Sequence, residues 1–306
     1  MIAAAREASR LAGAWLVVVA AAFLMIRVLP GDPAAIMAQA RGFAASPALI
    51  AEYRAAWGLD RPLAEQFAGW LMHFLSGDWG RSLASGQPVF DEFVRRTPWS
   101  LAIGCGGLGL AVLAGFGLGY RAALKPGGLA ERATQLLAVI GQSLPAFAVG
   151  LVLLWLLAAE WQVLRPLSGG VAERLLLPVL LVALFSLGSI SRVARTAFAE
   201  AAAAVWMRTA LAKGLSPAAA LWGHGRRHAA LTVLAAVTPE LAWVIGGTAV
   251  AEVVFGIPGL SDAVVDAVGA RDYTVLQAYI ALVALWIVAT YELARAARRR
   301  LDPRLA

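Results

Sequence analysis

The chain has 306 residues, of which 60% are hydrophobic and only 15% charged, and its mean hydropathy is +0.73. A water-soluble protein of this length needs far more polar surface to cover it, so a soluble enzyme or nucleic-acid-binding domain is excluded. The net charge of +7, from 26 Lys/Arg and 19 Asp/Glu, is accordingly read by its position along the chain, not as the footprint of a nucleic acid.

Six stretches are apolar enough to cross a bilayer, which takes roughly 20 residues per helix. They lie near 11–29, 99–119, 133–158, 175–191, 231–256 and 274–294, and they predict an all-α integral membrane protein with six transmembrane helices. Arg6 and Arg10 precede the first run in the manner of a secretory signal. The run is long for that role and ends at Arg27 and Pro30 without a small-residue cleavage site, so a retained first helix spanning 1–29 is expected.

Residues 30–98 form an external region with two helix signatures. Ser46 and Pro47 read as an N-cap with Pro at the first helical position, opening a helix that Gly58 stops. A second helix opens at Asp60, Arg61 and Pro62 and runs to about Ser76. It has Leu63, Phe67, Trp70, Leu71 and Phe74 on one face, which lies on the bilayer surface or caps the external mouth of the bundle.

Beyond it, 99–294 reads as a five-helix core and 295–306 as a basic tail. Pro and Gly are frequent in the spans: Gly141 and Pro145 in the third, Pro178 in the fourth, Pro239, Gly246 and Gly247 in the fifth. Breaks of this kind persist in membranes where neighbouring helices or cavity water satisfy the freed backbone groups. The connection between the fourth and fifth spans, 191–230, carries Arg192, Arg195, Arg208, Lys213, Arg226 and Arg227 against one acid, Glu200. The connection 257–273 carries Asp262, Asp266 and Asp272 against Arg271. Basic loops stay in the cytoplasm, which puts 191–230 and both termini on that side. Within this loop, Ala199 to Leu215 is rich in helix formers and Gly214 to Pro217 supplies a stop. A short cytoplasmic helix in a chain without a catalytic motif points to a docking surface for a soluble partner.

Few residues offer chemistry of their own. Glu240 and Glu252 are costly at membrane depth, about 2.5–3.5 kcal/mol each at mid-bilayer. They stand twelve residues apart in the fifth span, so they form no pair; Glu252 falls near its external end. Glu240 lines a pathway or bonds a neighbouring helix. His224 and His228 have a spacing that can chelate a metal, but Arg226 and Arg227 between them repel a cation, and no metal site is expected. Cys105, among glycines, is expected to be a packing residue. No phosphate-binding loop, GxSxG or HExxH motif occurs.

Several motifs taken together resemble one family. Arg208, Thr209, Ala210, Lys213, Gly214, Leu215 and Ser216 resemble the cytoplasmic "EAA" loop of ABC importer permeases, in the RTAxAKGLS form of the peptide/nickel branch. Arg208 stands where the general pattern has Glu. His224 falls where that branch has its HxLRNAL histidine, although His228 replaces the Asn of that motif and Thr232 the following Pro. Gly246, Gly247, Glu252, Phe255 and Pro258 resemble GG…ExVFxxPGLG. Arg271, Asp272, Tyr273 and Gln277 resemble RDYPVVQ, and Asp302, Pro303 and Arg304 the terminal DPR. Near the start, Arg27 to Pro33 resembles RLLPGDP and Gly58 to Pro62 GLDxP.

The resemblance implies a type I importer permease of the bacterial inner membrane. It would pair with a second homologous permease, two cytoplasmic ATPases and an external solute-binding protein. ATP and magnesium would be held by the ATPases, with no cofactor and no catalytic residue in this chain. It further implies that the loop segment at Arg208–Ser216 couples to the ATPase and that the cargo is a small peptide, nickel or a metal chelate. Glu240, Gly246, Gly247 and Glu252 are the candidate pathway residues. A stand-alone ion-coupled carrier using Glu240 is the other reading of the residues, and an intramembrane enzyme lacks any matched constellation.

Overall fold

The structure, a computed structural model, describes residues 2–28, 32–40, 46–165 and 169–301. Pro30 and Gly31 of the N-terminal motif, and Asp302, Pro303 and Arg304 of the tail, lie outside the described residues. Among the described residues the fold is all-α, and its β character is an isolated antiparallel bridge between Arg81 and Pro88.

The helices in chain order are α1 (Ile2–Val28), α2 (Pro33–Ala40), α3 (Pro47–Ala56), α4 (Leu63–Leu75), α5 (Val89–Leu124), α6 (Leu129–Ser143) and α7 (Ala146–Leu154), the last continuing as a π-helical turn, Trp155–Glu160. They are followed by α8 (Val171–Ala203), α9 (Val205–Ala212) and α10 (Pro217–Ala220), with a second π turn at Leu221–Gly225. Then come α11 (Arg226–Ala242), α12 (Val244–Gly247), α13 (Ala249–Phe255), α14 (Leu260–Ala270) and α15 (Tyr273–Leu301).

Four helices are long and apolar enough to cross a membrane: α1 from Ser9, α5, α8 and α15. The number rises to six when each of two bent pairs is one span. The predicted third span bends by 102° between α6 and α7, at the Leu144–Pro145 junction, where Pro145 caps α7. The predicted fifth bends by 58° at Trp243, one turn after Pro239. Pro178 behaves differently from expectation: it sits buried inside α8, which runs through it unbroken.

The chain forms two compact units. The first comprises residues 1–98 and 259–288. Here the Ser46 hydroxyl accepts from the Leu49 N–H at 3.2 Å and Gly58 turns with φ +63°, so α3 starts and stops where its caps predict. The apolar face of α4 packs against α1 and the start of α5. Phe67 meets Phe23 edge-on at 5.1 Å, Phe74 meets Trp15 at 6.1 Å, and Trp79 stacks on Phe74 at 4.8 Å while presenting its face to Phe93. Each such ring, once buried, contributes roughly 2–3 kcal/mol.

The stretch 257–273, read from sequence as a connection, contains α14, which ends at Arg271 in the left-handed conformation (φ +51°). Asp272 follows and is buried. Its carboxylate accepts from the Ser82 hydroxyl at 2.6 Å, the Ala84 N–H at 3.2 Å and the Val275 N–H at 3.2 Å, so one side chain caps α15 and ties down the 82–84 turn. Arg96 bridges Glu92 on its own helix and Asp262 at 3.1 Å on α14.

The second unit comprises residues 99–258 and 289–306. Its helices approach through small residues. A Cβ at Gly188 of α8 would sit 2.5 Å from the Ala138 backbone of α6, and one at Gly119 of α5 would sit 2.6 Å from Ala194 of α8. Small residues at such crossings replace the hydrophobic drive that lipid cannot supply with close van der Waals contact. Ile103, Leu177, Leu181, Ala251 and Phe255 form a core where α5, α8 and α13 meet. Cys105, expected to pack, is instead exposed on α5.

Candidate functional site

The basic segment is built as a platform. α8 does not end at residue 191 but carries helical backbone on to Ala203. Ala204 then adopts an extended conformation (ψ 148°), breaking what the helix formers at 199–215 suggested would be one helix into the end of α8 and the separate α9. Packing outweighs propensity here: the break turns Met207 and Ala210 inward, where they are 3% and 5% exposed against Phe198, Ala201, Ala220 and Leu221.

The exit from α9 is as the sequence implies. The Gly214 N–H bonds to the Leu211 carbonyl at 2.9 Å with φ +84°, a conformation that costs a side chain with a Cβ. The Ser216 hydroxyl then accepts from the Ala219 N–H at 3.2 Å, with Pro217 at the first helical position, and the next helix begins.

Four aromatic side chains clamp this turn to the helices beneath. Tyr120 and Phe116 of α5 meet Phe198 of α8 at 5.3 and 5.0 Å, and Trp222 at 5.0 and 6.2 Å. The Tyr120 hydroxyl donates to the Ala218 carbonyl at 3.0 Å. Sequence reasoning passed over this clamp; the i, i+4 spacing of Phe116 and Tyr120 in an otherwise small-residue span was the available clue.

Of the residues predicted for coupling, Arg208, Thr209, Lys213, Gly214, Leu215 and Ser216 are exposed, whereas Ala210 is buried and serves as an anchor. Val205 and Trp206 add exposed apolar surface beside Arg208. Glu200 lies 3.5 Å from His228, so both face a partner within the chain, and Arg227 donates to the Leu301 carbonyl. Arg195 pairs with Glu131 at 2.5 Å, the lone acid of the 121–132 connection, which also accepts the Gly127 N–H. No cluster of three or more His, Cys, Asp or Glu with metal-binding geometry occurs among the described residues; His224 is exposed in the second π turn.

A second feature lies within the helices. A cavity of about 350 Å³ is bounded by α5 (Gly104, Leu108), the start of α7 (Ala146), α8 (Leu181, Phe185, Ser186) and the broken α11–α13 segment, where Glu240, Trp243, Val244, Gly247 and Thr248 face it. The 58° bend at Trp243 lies on the wall of this space. Of the four candidate pathway residues, Glu240 and Gly247 line the cavity, and Gly246 and Glu252 do not. Glu252 is fully buried and accepts from the Thr248 hydroxyl at 2.6 Å, one turn earlier at the start of α13.

Comparison with known proteins identifies the family. Residues 115–306 match the family model described as binding-protein-dependent transport system inner membrane component, and residues 7–104 match the model for the N-terminal part of that component. The chain is 34% identical over 292 residues to a probable peptide ABC transporter permease protein, y4tP, of Sinorhizobium fredii, covering 92% of each. It is 35% identical over 270 residues to the glutathione transport system permease protein GsiC of Salmonella typhimurium, covering 88% of this chain and 87% of that one. Against GsiC of Escherichia coli it is 34% identical over 263 residues, covering 86% and 85%. The relatives are transport subunits and not enzymes. The chain belongs to the family of inner membrane components of binding-protein-dependent transport systems, and it is a multi-pass permease subunit of an ABC importer.

Proposed function

We propose that this permease imports small peptides delivered by an external solute-binding protein, and that it works beside a second, homologous permease and two cytoplasmic ATPases. The peptide and glutathione permeases to which it is similar support that cargo class. The basic 191–230 segment and the basic tail support cytoplasmic termini, with 30–98 on the external side. The chain then divides into a first span at 1–29, the external region, the permease core at 99–294 and a cytoplasmic tail at 295–306.

The observation that carries the reading is α9. It is a short helix pinned from beneath by Met207, Ala210 and the aromatic clamp, with Arg208, Thr209 and Lys213 exposed. A rigid helix with cationic side chains outward suits a groove with acidic groups on an ATPase, and its anchoring lets closure of the ATPases move α5 and α8 as bodies. Arg208→Glu reverses the charge. Gly214→Pro removes the N–H bond to Leu211 and forbids the positive φ. Either variant is expected to insert normally and to lose the ATPase subunits on co-purification. Full retention of ATPase binding and transport by both overturns the docking role.

A further inference from the structure

The cavity beside the α11–α12 break contains a carboxyl group with one oxygen uncommitted. Oε2 of Glu240 is shielded from solvent and has no hydrogen-bond partner among the described residues, while Ser186 bonds to the same carboxyl group from α8. None of the described residues lining the cavity is Lys, Arg or His, so they supply no counter-charge there. The other hydroxyl on the wall, Thr248, is already directed to Glu252 at 2.6 Å and to its own helix backbone. Apart from the indole of Trp243, the remaining wall, including Leu181, Phe185, Val244 and Ala251, is apolar. A space of about 350 Å³ falls in the range of small-ligand pockets, which are predominantly apolar with a few placed polar groups. An ionisable group kept at membrane depth without a counter-charge marks a place where a partner arrives.

We propose that Glu240 and Ser186 bind the primary ammonium group of a small cargo molecule, with its apolar body against Phe185 and Val244. An ammonium offers three donors, of which Oε2 takes one and the Ser186 oxygen can take another. A solute lacking that group leaves the buried oxygen unpaired and is disfavoured. This rests on the importer reading and narrows it to solutes with a free amino group.

The test uses thiol labelling of the complete complex in lipid vesicles. A permease carrying Cys105→Ala and Ala146→Cys presents a single thiol on the cavity wall. It is treated with cationic aminoethyl methanethiosulfonate and anionic sulfonatoethyl methanethiosulfonate, with and without ATP, and rates are corrected for those of a free thiol. A carboxylate focused in a low-dielectric cleft is expected to favour the cation by about tenfold or more, and Glu240→Gln is expected to remove that preference. Dialanine is expected to slow labelling and N-acetyl-dialanine to leave it unchanged. N-acetyl-lysine amide, whose ammonium is on the side chain, separates a general ammonium site from one for the peptide N-terminus. Equal rates for the two reagents, a preference that survives Glu240→Gln, or absence of labelling in both nucleotide conditions overturns the site. ATP-driven peptide uptake by the same vesicles, with binding protein added, scores the importer reading separately.

Discussion

Asp272 shows how much one side chain can hold. It accepts from Ser82, Ala84 and Val275 while 1% exposed, and hydrogen bonds to a buried charged group are worth about 1.5–3 kcal/mol each. Asp272→Ala is expected to destabilise the protein by about 2–4 kcal/mol, by loss of the cap and exposure of unpaired donors. Asp272→Asn, which keeps an acceptor, should recover part of that; thermal unfolding in detergent checks the order of the three proteins. Tyr120 is the corresponding residue under the basic platform. Tyr120→Phe keeps the ring stack and loses only the bond to Ala218, about 1 kcal/mol. Tyr120→Ala also frees Trp222 and is expected to raise amide exchange across 213–225, with a smaller effect from Tyr120→Phe. The motif containing Asp272 was visible in the sequence, but its role was not, because Ser82 is 190 residues away and periodicity carries no information about contacts at that separation. The same limit hid the pairing of Arg195 with Glu131.

At the scale of elements, what was legible had a local cause. The start of α3 at Ser46–Pro47, its stop at Gly58 and the turn at Gly214 follow from side-chain caps and from glycine's access to positive φ. Pro145 ended a helix as its missing N–H requires, whereas Pro178 did not, since α8 is held on both sides by packed neighbours. The break at Ala204 had no local cause: four consecutive alanines favour continuation, and burial of Met207 and Ala210 decides against it. α14 was missed because aspartates were read for sidedness and not as helix surface. The small-residue crossings give a sharp expectation at this scale. Gly188→Val places a Cβ against the Ala138 backbone, and α6 and α8 must separate. A cost of about 1–3 kcal/mol is expected, read as a lowered unfolding temperature in detergent. Gly223→Ala, whose Cβ meets no atom of the described residues beyond its own turn within 4 Å, serves as the matched control.

For the whole molecule, composition alone excluded a soluble fold, and the charge distribution suggested which segments face the cytoplasm. The family followed from motifs spread from the first span to the tail, and the matches over 7–104 and 115–306 establish it. The cavity beside Glu240 was legible only as an isolated acid in an apolar run, because its walls come from four stretches of chain far apart in sequence. We propose that this chain moves solute only as part of an ATP-driven assembly. Its most direct test is uptake of a radiolabelled dipeptide into lipid vesicles containing either the permease alone or the complete complex with binding protein. Uptake by the complete complex is expected to require ATP and to be indifferent to an ionophore, with none by the chain alone. Uptake by the chain alone, abolished by an ionophore and unaffected by ATP, would contradict it.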